Sequence, residues 1–148
     1  MNLPGLPAVE LQFRPLKNGR QVFDIFRNKW VQFTPEENVR QHILHYLVNE
    51  KGYKKGLISV EKEITINQLS RRYDAVCYDV NGNPSMLIEC KAPDVAVTNE
   101  TFMQIAQYNT RLKVPFLLVT NGIKHYSCQV NTDTGEVTFL KEIPAFTK

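Results

Sequence analysis

The sequence predicts an α/β domain with a mixed central β-sheet flanked by helices on both faces. Two observations carry that expectation. A strongly capped helical segment is followed by three strand-like segments joined by short turns, and a second helical segment then leads into a wholly apolar strand. Short turns join antiparallel strands, whereas a helical crossover between neighbouring strands makes them parallel, so the sheet is mixed.

With 148 residues the chain fits one domain, large enough to bury a core without disulfides or metal to brace it. Hydrophobic residues make up 43% and charged residues 22%, the balance of a globular protein and not of a disordered or fibrous one. Apolar runs such as Phe116 to Val119 fall far short of the roughly 20 residues a membrane helix needs. The N-terminus lacks a basic stretch leading into an apolar run, so a cytoplasmic address is expected. Cys77, Cys90 and Cys128 have no metal-site spacing and suit reduced thiols better than a disulfide framework. A formal charge of +3 is compatible with a polyanionic partner but does not establish one.

Within this one domain, residues 1–33 are read as an N-terminal arm and residues 34–148 as the main body. Pro4, Pro7, Pro15 and the turn-like Lys17-Asn18-Gly19 predict an irregular chain to about residue 21. Val22 to Phe26 and Trp30 to Phe33 are rich in aromatic and β-branched residues and suggest a hairpin. Thr34-Pro35-Glu36-Glu37 is a helix start, with Thr34 as N-cap, Pro35 at the first helical position and Glu37 closing a capping box. Val39, Ile43, Leu44 and Leu47 line one face of that helix, and Gly52 stops it after about Lys51.

Alternation from Ile58 to Ile66, broken only at Lys62, predicts a half-buried strand. Strands at Arg72 to Val80 and Ser85 to Lys91 flank the turn Asn81-Gly82-Asn83-Pro84, completing an antiparallel meander. Thr98 or Asn99 caps a helix to about Leu112 whose buried face is Phe102, Ile105, Ala106 and Leu112. Phe116 to Thr120, Ile123 to Val130 and Glu136 to Glu142 read as the last strands, separated by Asn121-Gly122 and Thr132 to Gly135.

A four-residue hairpin loop at 81–84 would pair Val80 with Ser85, Val76 with Glu89 and Asp74 with Lys91. Asp74 and Val76 would then share a face with Leu87, Glu89 and Lys91, while Ala75, Cys77, Ile88 and Cys90 point the other way. Charges amid apolar strands are costly unless compensated. Two carboxylates, helped by the main-chain carbonyl of Cys90, make a hard oxygen site suited to Mg²⁺ or Mn²⁺.

These residues resemble the PD-(D/E)XK nucleases, whose pattern is an acid on one strand and E-x-K on the next. Here it reads Arg72-Tyr73-Asp74-Ala75-Val76 and Leu87-Ile88-Glu89-Cys90-Lys91, with Tyr73 where the related enzymes carry proline. A closer resemblance is to the N-terminal nuclease domain of type I restriction enzyme R subunits and its small stand-alone relatives. Thr34 to Gln41 looks like that family's first helix, Gln104-Ile105-Ala106-Gln107-Tyr108 like its Q-x-x-x-Y signature, and Val119-Thr120-Asn121-Gly122 like its following strand end. The resemblance covers roughly residues 34 to 130.

It implies a restriction-endonuclease-like fold and a Mg²⁺- or Mn²⁺-dependent deoxyribonuclease, endonuclease ahead of exonuclease. Asp74 and Glu89 would be metal ligands, joined by Glu37 from the first helix and the Cys90 carbonyl, and Lys91 would orient the attacking water or stabilise developing charge. Gln104, Tyr108 and Arg111 would form a stripe that meets DNA phosphates. No P-loop is present, so translocation would need a separate helicase, translocase or restriction subunit. No membrane role is expected, and a homodimer stays open, with the arm as its candidate interface.

Plainer readings stand beside these. The acids and lysine could form a cross-strand salt bridge, Glu37 could serve only its capping box, and Gln104 and Tyr108 could be the wet side of a helix. His42 and His45 have no metal-binding companions, and Arg71-Arg72 with Lys54-Lys55 could be a phosphate-attracting patch or solvated turns. The alternative function is a non-catalytic nucleic-acid-binding or assembly module that keeps the nuclease fold.

Overall fold

The computed structural model describes residues 2–147. The chain opens with a three-stranded antiparallel sheet, β1 (Phe13–Leu16), β2 (Gly19–Asp24) and β3 (Lys29–Gln32), in that order. β1 and the start of β2 lie where Pro15 and the turn after it predict an irregular chain. Pro15 is tolerated because β1 is an edge strand, and Gly19, at φ +117°, closes the tight turn into β2. The N-terminal segment is tied to the main body: Leu3 and Leu6 are buried in its core, and the Gly5 N–H donates to the Gly122 carbonyl at 2.9 Å.

Helix α1 (Pro35–Glu50) starts where Thr34 Oγ1 accepts the Glu37 N–H at 3.0 Å. It ends at Lys51, before Gly52 at φ +78°. The second sheet runs β4 (Ile58–Ile66), β5 (Leu69–Tyr78), β6 (Pro84–Cys90), β7 (Phe116–Thr120), β8 (His125–Val130) and β9 (Val137–Leu140), spatially in that order. Only β6 and β7 are parallel, joined through α2 (Asn99–Asn109) and a 3-10 turn at Thr110–Leu112. Thr98 caps α2 through its side chain.

Each face of this sheet has its own core. Val39, Ile43, Leu44 and Leu47 of α1 pack on Ala75, Cys77, Met86, Ile88 and Leu118. Phe102 and Ala106 of α2 pack on Tyr73, Val76, Leu87, Leu117 and Val119. The three cysteines are buried free thiols, and burial pushes that of Cys77 up to about 12. Among the described residues no helix is long and apolar enough to cross a membrane.

The expected β5–β6 register is off by two residues. Val76 pairs with Leu87, Ala75 with Ile88 and Tyr78 with Pro84, with a bulge at Cys77/Tyr78. Asp79 causes the slip: its Oδ1 accepts the N–H groups of Asn81 and Asn83, both at 2.9 Å, so the loop starts earlier and Val80 is left in it. Asp74 therefore comes level with Glu89 and not with Lys91.

The expected faces hold for Val76 and Leu87 on one side and Ala75, Cys77, Ile88 and Cys90 on the other, and a shift of two leaves them unchanged; it is Asp74 that departs. Tyr73 and Val76 both pack on the α2 side, while Ala75 and Cys77 pack on the α1 side. In β4, Ile58 and Val60 belong with α1, but Ile64 and Ile66 belong with the α2 side. Both strands change faces between the pairs Val60↔Ala75 and Lys62↔Tyr73, where Glu61, at φ +53°, stands across from Asp74. Local irregularity of this kind re-aims side chains.

Candidate functional site

Asp74 occupies the face change. Its Oδ2 accepts the Cys90 N–H at 2.7 Å, and its Oδ1 lies 3.5 Å from Arg40 Nη1 on α1. Glu89, on the neighbouring strand, is 7% exposed and accepts from Arg71 Nη2 at 3.0 Å. The Arg71 guanidinium lies over the rings of Tyr73 and Tyr108, 5.2 and 5.3 Å from their centroids. Tyr73 in turn donates its hydroxyl proton to Asn109 Oδ1.

Lys91 is half-buried just past β6, its N–H donating to the Thr120 carbonyl at 2.8 Å. Asn121 Nδ2 braces the loop that follows by donating to the Val95 carbonyl at 2.9 Å. Asp74, Glu89, Cys90 and Lys91 line one cleft of ≈ 370 Å³ together with Glu36, Glu61, Arg71, Arg72 and Tyr73.

The electrostatics of the cleft are uneven. Burial pushes the Glu89 carboxyl up; Arg71 and Lys91 pull it down, while Asp74 and Glu36 push it further up. Like charges thus meet at a buried carboxylate, an arrangement a bound cation relieves.

Glu37 lies behind the cleft. Its carboxylate accepts from Arg27 Nη2 at 2.8 Å, from Gln41 Nε2 at 2.9 Å and from Arg40. Burial alone would raise its carboxyl, but the hydrogen bonds from Arg40, Arg27 and Gln41 outweigh that and hold it below the usual range. The capping box is consequently half-formed: Thr34 caps the helix, but the Glu37 side chain turns to the guanidinium groups. Arg27 also pairs with the fully buried Asp24 of β2, so alternating charges run from the N-terminal sheet through Glu37 and Arg40 to Asp74.

The acid that α1 presents to the cleft is Glu36. It precedes Val39 by three residues and Ile43 by seven, and that helical spacing was a signal for it. Of the stripe on α2, Tyr108 reaches the cleft through Arg71, and Gln104 is exposed outside it. Arg111 lines a different hollow, with residues 66–69 at the β4–β5 turn.

Among the described residues no group of three His, Cys, Asp or Glu side chains converges to hold an ion. Two carboxylates still fit Mg²⁺ or Mn²⁺, because Mg²⁺ keeps several waters and is held by one or two protein carboxylates plus substrate phosphates. Asp74 and Glu89, which line the same cleft, are the two carboxylates on neighbouring strands that could do so.

A mixed sheet with one helix on each face and a cleft of carboxylates and basic groups across β4, β5 and β6 is a restriction-endonuclease-like fold. A fragment assigned to the HsdR subunit of a type I restriction enzyme from Vibrio vulnificus YJ016 is similar, with a TM-score of 0.52 and 21% identity over 76% of this chain. The chain spans 24% of that structure's length. Residues 35–144 match the family described as Type I restriction enzyme R protein N terminus (HSDR_N), and the chain belongs to that family. No curated protein matches.

Proposed function

We propose that this domain hydrolyses phosphodiester bonds in DNA with the help of Mg²⁺ or Mn²⁺, as the nuclease part of a restriction or DNA-processing system. The observation that supports it best is the meeting of Asp74, Glu89 and Lys91 in one cleft, where acids crowd a buried carboxylate beside an ammonium. A bound divalent ion supplies Lewis acidity and a more acidic water.

The protein side chains do the rest. Asp74 and Glu89 would hold the cation, with Asp74 kept in place by the Cys90 N–H and by Arg40. Lys91 would orient the attacking water or stabilise the negative charge that develops on the phosphate. Arg71, over the Tyr73 and Tyr108 rings and paired with Glu89, would be placed to donate to a phosphate oxygen were Glu89 engaged by a cation.

Plasmid nicking in Mg²⁺ or Mn²⁺ tests the proposal. Cleavage that disappears in Glu89→Ala and in Lys91→Ala supports it, and salt-sensitive DNA binding without cleavage in either metal refutes it. One observation favours the second reading, a binding module. Both carboxylates already carry protein partners, Arg40 and the Cys90 N–H for Asp74 and Arg71 for Glu89.

A further inference from the structure

The residues ahead of the family match carry the charge of the whole protein. Residues 1–33 hold Arg14, Lys17, Arg20, Arg27 and Lys29 against Glu10 and Asp24, a net of +3, which equals the formal charge of the entire chain. Everything from Thr34 onward is balanced. Arg27 and Asp24 are paired with each other inside the protein, and Arg20, over the Phe13 and Phe33 rings, and Lys29, opposite Asp24, belong to the Val22 side of the sheet, which leaves Arg14 and Lys17 as the exposed cations for the other side.

Pairing in the N-terminal sheet sorts its residues into two faces. Val22 and Asp24 are fully buried and point inward, whereas Arg14, Gln21, Phe23 and Trp30 share the opposite face through the pairs Arg14↔Gln21 and Phe23↔Trp30. On that outer face the Arg14 guanidinium lies 4.7 Å from the Trp30 ring centroid and donates from Nε to Gln21 Oε1 at 2.7 Å. Phe23 packs edge-on against Trp30 at 5.4 Å. With Nε engaged by Gln21, the terminal Nη groups of this exposed guanidinium remain to donate to a phosphate oxygen. Lys17, exposed in the β1–β2 turn, adds a second cation to the same sheet.

We propose that the outer face of the N-terminal sheet is a second nucleic-acid contact surface, on which Arg14 and Lys17 hold backbone phosphates and Trp30 and Phe23 meet bases or sugars. Positive charge interleaved with aromatic rings suits a nucleic-acid strand better than an apolar protein face. The surface goes beyond the cleft, and of the reading given for the cleft it takes only that the partner is nucleic acid.

Trp30 is the only tryptophan in the chain, so its emission reports on this face directly. The full chain is titrated in EDTA with a single-stranded and with a duplex oligonucleotide at several salt concentrations, with labelled-oligonucleotide anisotropy followed in parallel. The expected result is quenching of Trp30 along the binding curve. Lys17→Ala, which leaves the Arg14–Trp30 stack intact, lowers the salt slope of log K by about 0.7 on single strands or about 0.9 on duplex, and Arg14→Ala with Lys17→Ala lowers it by about twice that.

No binding, binding that leaves Trp30 emission unchanged, variants with unaltered salt slope, or equal quenching by polyglutamate would each overturn the surface. Cleavage in Mg²⁺ without a Trp30 response removes this surface alone. A Trp30 response without cleavage in Mg²⁺ or Mn²⁺ leaves it standing and removes the nuclease reading.

Discussion

Glu37→Gln tests the buried charge ladder behind the cleft. Glu37 is 4% exposed and is the shared partner of Arg27 and Arg40, whose side chains are 13% and 10% exposed. The glutamine keeps the shape but leaves two guanidinium groups facing a neutral amide. Breaking a buried pair by removing one partner costs about 3–5 kcal/mol, and retained amide contacts favour the lower end. With a urea m-value of about 2 kcal/mol/M, a loss of about 3 kcal/mol lowers the unfolding midpoint by about 1.5 M. Acid adds an independent check. Because the folded carboxyl is held below its ordinary 4.5, the stability it contributes is fully present above that pH and is lost as pH falls through the depressed value. Wild type and variant therefore converge on acidification. A midpoint shift under about 0.3 M at pH 7, or a gap that does not narrow in acid, would refute the ladder as a stabilising element.

The other expectations concern the cleft and the N-terminal anchor. Arg40→Lys, which weakens the hold on Asp74, should lower Mn²⁺ affinity by roughly 10–100-fold in calorimetric titration; unchanged affinity would mean that Arg40 does not position Asp74. Glu89→Gln should abolish cleavage yet raise the melting temperature in EDTA at pH 7. Its carboxyl titrates above the ordinary value when folded, so ionised Glu89 destabilises the metal-free protein, and the advantage of the variant should vanish as pH falls towards the ordinary 4.5. Gly5→Ala would place a Cβ 2.6 Å from the Ile123 carbonyl oxygen and 2.7 Å from that of Gly122, both backbone atoms that cannot swing aside. A cost of about 1–3 kcal/mol is expected, with faster hydrogen exchange around Leu3 and Leu6; wild-type exchange there would show that the close approach is not maintained.

Much of the fold was legible because periodicity and capping act locally. Thr34-Pro35 opens α1, Ile58 to Ile66 is β4, and Phe116 to Thr120 is β7, each with the expected bounds. The hidden parts depend on partners distant in sequence or on a single turn. β1 escaped notice because Pro15 reads as a strand breaker unless the strand lies at an edge. The β5–β6 register turned on how many residues the Asp79 side chain would gather into its loop. Glu36 and Glu37 are both acids in the first turn of one helix, and only the positions of Arg27, Arg40 and the sheet decide which one looks into the cleft.

Alternation explains why the site lies where regular strand structure fails. Strict period two would have sent Asp74 to the same side as Val76, against the core under α2, and away from Arg40. The change of face at Glu61 and Asp74 brings one carboxylate to the rim of the sheet while Ala75 and Cys77 remain packed beneath α1. It also leaves Glu61 at positive φ, a conformation that costs a non-glycine residue about 1–3 kcal/mol and persists only where its surroundings enforce it. The flanking pairs Val60↔Ala75 and Lys62↔Tyr73 fix it on both sides, and Arg27, Arg40 and Arg72, each within 3.8 Å of the half-exposed Glu61 carboxylate, add a smaller attraction. The guanidinium groups that hold Glu37 and Asp74 thus also reach the distortion that aims Asp74, so support and site share one set of charges.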